Sequence, residues 1–138
     1  MEKIFHFFFV AFYFGMKRDK TFPKVGRVKH LIAFELYQVI ASVFIILWGF
    51  IGIKRLGMLY GWSIIAISIV LIIYLGDLIC KHYVRKNESK FLRTINEYTI
   101  KQRKIYAIAG YFSCLVIFLF MMYCYILGVG LENYLYPD

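Results

Sequence analysis

Three long apolar runs set the pattern of the chain: LIAFELYQVIASVFIILWGFIGI (31–53), LGMLYGWSIIAISIVLIIYLGDLI (56–79) and IYAIAGYFSCLVIFLFMMYCYILGVGL (105–131). Each exceeds the roughly 18 residues that mark a bilayer-spanning helix. The link between the first two is so short that they must form an antiparallel hairpin. An apolar run also opens the chain. As a helix, residues 4–16 would reach only about 20 Å, short of a roughly 30 Å hydrocarbon core. No small-x-small cleavage signal follows it, and phenylalanines surround it, so it lacks the polar side of a helix lying flat at the interface. The expected fold is all-α: a membrane bundle of three spans plus a short apolar N-terminal helix that dips into the inner leaflet and leans on the bundle. A tilted fourth span is the alternative.

Residues 17–30, KRDKTFPKVGRVKH, are expected to form a basic linker broken by Pro23 and Gly26. Between the second and third spans the expected break is Asn87–Glu88–Ser89. Beyond it Phe91, Leu92, Ile95 and Tyr98 share one helical face, and Glu97 and Lys101 make a favourable i,i+4 pair. The third helix is therefore expected to start near residue 89 and to project into the cytoplasm, with an outer tail at 132–138. The whole chain is one membrane domain.

The first span is not uniformly apolar. Steps of three and four from Glu35 reach Gln38, Ser42, Ile45, Gly49 and Gly52, all within about 100° of one helix face. Lipid cannot hydrogen-bond a carboxylate or an amide, so this stripe should face other helices. The second span carries Gly57 and Gly61 in line with Ser68, while Tyr74 and Asp77 project from another side, as expected of a middle helix. The third lines up Gly110, Cys114, Met121, Cys124 and Gly128. Small residues on every span predict closely packed helices in a compact bundle, and self-association. By depth, Arg103, Lys104 or Lys81 can snorkel to Glu35 or Asp77; Arg103 is the first choice for Glu35, with the Tyr106 hydroxyl as a further donor.

Composition and charge sharpen this picture. The chain is 62% apolar, above the roughly half expected of a soluble domain. Its net charge of +9 is concentrated: residues 1–30 hold seven Lys/Arg against two acids, and residues 81–104 hold eight against two. Basic loops stay in the cytoplasm. The expected location is thus the inner or plasma membrane, with the 81–104 loop inside and the 54–56 link and C-terminus outside. Trp48, Tyr60, Trp62, Tyr134 and Tyr136 near one boundary, and Tyr74, Tyr83 and Tyr106 near the other, agree with interfacial aromatic belts. Lys17, Arg18, Lys81, Arg85 and Lys86 are expected to hold anionic lipid headgroups. A nucleic-acid partner is not expected, since no recognition motif accompanies the charge.

Little in the chain speaks for chemistry. His6, His30 and His82 are scattered, and no HExxH, Ser-His-Asp order or phosphate-cradling Gly loop occurs. Cys80, Cys114 and Cys124 form no CxxC and read as packing residues. No cofactor, metal or catalytic residue is expected, with Glu35 and Asp77 the only candidates for a membrane enzyme.

The order of features, with FLRTINEYTIKQRKIYAIAGYF leading into the last span, resembles small uncharacterised polytopic bacterial membrane proteins. That resemblance is carried mainly by residues 81–112. It implies no particular activity, although some members look like accessory or immunity proteins. The expected function is therefore non-enzymatic: a small membrane protein acting through helix–helix contacts with a second copy or a membrane-protein partner, as an accessory or immunity subunit. The alternative is an oligomeric pore or ion-translocating subunit lined by Glu35, Gln38 and Ser42.

Overall fold

Pro23 opens the first long helix. Its backbone is extended (φ −60°, ψ 126°) and the helix runs from the next residue, so α2 spans Lys24–Ile51. The helix thus begins inside the expected linker, and Gly26 does not interrupt it. A glycine within a helix is costly but permitted, whereas Pro before the first turn is favourable. In the computed structural model the described residues are 1–16 and 23–137, so the lipid contacts expected of Lys17 and Arg18 lie outside them.

Two glycines reverse the chain after α2. Gly52 (φ 69°) closes the helix in the left-handed conformation, and Gly57 (φ 75°) starts the return; the 3-10 turn Ile53–Leu56 lies between them. A Cβ would be strained at either position. Helix α3 (Gly57–Cys80) then continues through a π-helical turn, Lys81–Arg85, beyond the expected end of the span. A short amphipathic helix follows, α4 (Glu88–Ile95), burying Phe91 and Ile95. It does not run on into the last span. Thr99 starts α5 (Ile100–Leu135) with a capping box, its hydroxyl accepting from the Gln102 N–H while the Gln102 side chain accepts from the Thr99 N–H. Glu97 consequently falls in the α4–α5 turn, and the helical pairing expected with Lys101 is not available. At its far end α5 extends to Leu135, so most of the expected tail is helix. The opening run is α1 (Glu2–Gly15).

Three helical segments are long and apolar enough to cross a membrane: α2, the run Ile53–Arg85 containing α3, and α5. They form a helical bundle laid out as an open layer. Helix α2 is in the middle, packed along α5 on one side and α3 on the other, while α3 and α5 make no extended contact. The middle helix is therefore the first span, not the second. The cause lies in its faces: the Ser42–Gly49 line receives α5, and Tyr37 and Trp48 on another side receive α3. The most completely buried cluster sits at the basic end. There α1 lies across α5, α2 and the π-helical turn and inserts Phe9 (0% exposed) and Phe12 beside Val28, Ile32, Val84 and Phe91. The opening run is thus a helix leaning on the other helices.

Candidate functional site

The polar stripe of α2 faces α5. Glu35 is 6% exposed and Ser42 1% exposed, and both lie on the same side as buried Gly49. The Ser42 hydroxyl donates to the Gln38 carbonyl at 2.8 Å, one turn back on its own helix. Across the interface, Cys114 of α5 lies beside the Glu35 carboxyl. Glu35 Oε2 and Gln38 Oε1 are buried with no hydrogen-bond partner among the described residues. Two acceptor oxygens one turn apart in an apolar interface are unfavourable, and they mark this as the most distinctive polar feature of the α2–α5 contact.

The small residues beyond it let the backbones meet. A Cβ built on Gly49 would overlap the Gly128 carbonyl, and one on Gly128 would lie 2.7 Å from Ile45 O. Of the other small positions, Ser68 accepts the Trp48 indole N–H at 3.1 Å, joining α3 to α2. Gly61 faces Ile53 O, and Gly110 seats α1, since a Cβ there would lie 3.2 Å from the Ala11 backbone.

The remaining polar residues are not gathered around Glu35. Asp77 accepts the Tyr37 hydroxyl at 2.6 Å, on the α3 side of α2. Arg103 does not pair with Glu35: its Nε donates to Tyr98 O at 2.9 Å, and its guanidinium lies over the Phe14 ring. Tyr106 packs on Phe7 and Tyr98. The helix break at residues 96–99 sets Tyr98 against the start of α5, where it meets Arg103 and Tyr106, and α1 packs there independently. Lys81, Arg85, Lys86 and Lys104 are exposed at the same basic end.

Three features lie outside the sequence expectation. Gly76 receives the Tyr37 ring, which a Cβ would overlap. Glu132, 8% exposed, accepts the Lys54 backbone N–H at 2.7 Å, and Tyr136 donates to Phe50 O at 3.0 Å, so the end of α5 clasps the interhelical turn. At the basic end, Lys29 pairs with Glu88 at 2.8 Å and Lys90 with Glu2, tying α4 to α2 and α1. The Lys90 ammonium holds the Glu2 carboxyl below its ordinary pKa. His6 meets Thr94 Oγ1 at 2.8 Å, and partial burial keeps its ring below the usual imidazole range. Extending the helical lines already visible would have found two of these residues: two turns on from Ser68, through Ile72, lies Gly76, and one turn on from Gly128 lies Glu132.

Among the described residues, no three His, Cys, Asp or Glu side chains converge as metal ligands. No protein-family model, curated protein or solved structure matches the chain.

Proposed function

We propose that this chain is a non-enzymatic multi-pass protein of the inner or plasma membrane. It works through contacts of its spanning helices with another membrane protein, as an accessory or immunity subunit. Its basic end faces the cytoplasm and its Lys54–Arg55 turn faces outward, in keeping with the distribution of Lys and Arg. The observation that carries this reading is the open layer. On the face of α2 that seats α1, helical spacing leads outward to Val39, Val43, Leu47 and Phe50, all exposed. Neither α3 nor α5 closes over that face, and α1 is too short to reach its far end. It offers a partner helix a seat on α2 between two flanking helices. The pore alternative receives less support, because the Glu35–Ser42 stripe is directed at α5 of the same copy.

The test is a photoreactive amino acid introduced at Val43 or Leu47 and irradiated in native membranes. A discrete protein adduct is expected there, and a much weaker one from Tyr123 on the outer face of α5. Lipid adducts alone at Val43 and Leu47 would contradict the proposal.

A further inference from the structure

A second feature concerns the lipid rather than a protein partner. Between the end of α1 and the start of α5 lies a cleft of about 280 Å³, lined by Phe12, Met16, Leu31, Ala107, Tyr111 and Cys114 among others. At the end of α1 the Gly15 carbonyl accepts the Tyr111 hydroxyl at 2.8 Å, which ties α1 to α5 beside the cleft. The cleft runs along one face of α5, since residues 104, 107, 111 and 114 follow helical spacing. The face therefore begins at Lys104 and descends into the apolar segment. Lys104 is exposed and has no ion-pair partner among the described residues, and Arg103 beside it is also exposed. The volume falls just below the ~300 Å³ at which small-molecule pockets begin, and a helix of ~10 Å diameter cannot enter it. A single flexible chain can.

We propose that this cleft is a phospholipid site: one acyl chain lies along Ala107, Tyr111 and Cys114, and an anionic headgroup rests on Lys104 and Arg103. Two exposed cations one turn before Ala107 on α5, and the apolar cleft further along the same helix, match the two ends of an anionic phospholipid in the basic-side leaflet. The site rests on the membrane reading above, but its residues are distinct from the open face of α2. Occupancy would wedge α1 against α5 and so steady the helix that holds the buried cluster together.

The test uses the full chain, purified in detergent and exchanged against phosphatidylglycerol, phosphatidylcholine or soluble glycerol phosphate, with bound molecules counted by native mass spectrometry. The wild-type chain should retain one phosphatidylglycerol in preference to phosphatidylcholine and should not retain glycerol phosphate. Ala107→Trp, which fills the cleft, should abolish that adduct. Lys104→Gln, a change at an exposed side chain, should weaken it about fivefold, as loss of one cation near a lipid phosphate implies. Circular dichroism checks that each variant keeps its helices, and the Lys104 variant decides the matter if the Ala107 variant does not fold. The proposal is overturned if Lys104→Gln binds like wild type, if a folded Ala107→Trp keeps the adduct, or if either lipid or glycerol phosphate is held equally well. Release of the wild-type chain from membranes by alkaline extraction would instead overturn the membrane reading itself.

Discussion

Gly49→Leu is expected to abolish the close contact between α2 and α5 and to leave little folded protein in detergent. The cause is backbone against backbone. A Cβ on Gly49 would overlap the Gly128 carbonyl oxygen and lie 2.9 Å from Gly128 Cα, so no side-chain rotation can make room. Even Gly49→Ala must push the helices apart, and overpacking of this kind costs about 1–3 kcal/mol. Leucine adds three more carbons to the same overlap. Separating the helices would also disturb the Glu35–Cys114 contact on the same interface, so the loss spreads along α2. Gly130→Ala is the control, because nothing lies within 4 Å of a Cβ at that position. Thermal denaturation of both variants in detergent should show a large loss at residue 49 and almost none at residue 130. Equal tolerance would mean that α2 and α5 do not approach as described.

Phe9→Ala should be the most damaging change outside the spanning helices. Phe9 is fully buried, and its ring meets those of Phe91 and Tyr13 at centroid distances of 5.4 and 6.4 Å. Truncating a buried phenylalanine typically costs about 3–5 kcal/mol. Here the cavity would open between α1 and α4, next to the ion pairs that bind α4 to α1 and α2. The comparison is Ile4→Ala on the same helix, where the side chain is 57% exposed. A clear drop in melting temperature is expected for Phe9→Ala and little change for Ile4→Ala. If the two behave alike, α1 is not part of the folded core.

Sequence spacing is a good guide to the packing of this chain where one residue type has one physical use. Gly49 and Gly128 are such a case: in an apolar helix a glycine on a small-residue line offers close approach, and the two lines meet. Spacing is a poorer guide to partners. Arg103 has the depth to reach Glu35, but the preceding turn supplies a nearer acceptor, Tyr98 O, and an aromatic ring, Phe14. The turn itself is encoded in Thr99-Ile-Lys-Gln102, a capping box that ends the expected continuous helix from residue 89. The order of helices is harder still. All three spans carry small residues, and only the fit of Tyr37 into Gly76 and of Trp48 to Ser68 puts α2 between the other two. Glu132 is obscured by its setting, since an acid in a tail looks solvated until the helix is known to continue beneath it.

The direction of the layer in the membrane underlies the proposed function, and single engineered cysteines test it most directly. In a chain whose three native cysteines have been replaced, Asn133→Cys lies just beyond the Glu132 clasp and Arg93→Cys lies on α4; both positions are exposed. A membrane-impermeant maleimide added to intact cells should label residue 133 at once and residue 93 only after the membrane is opened. Labelling of residue 93 from outside, with residue 133 protected, would contradict the account.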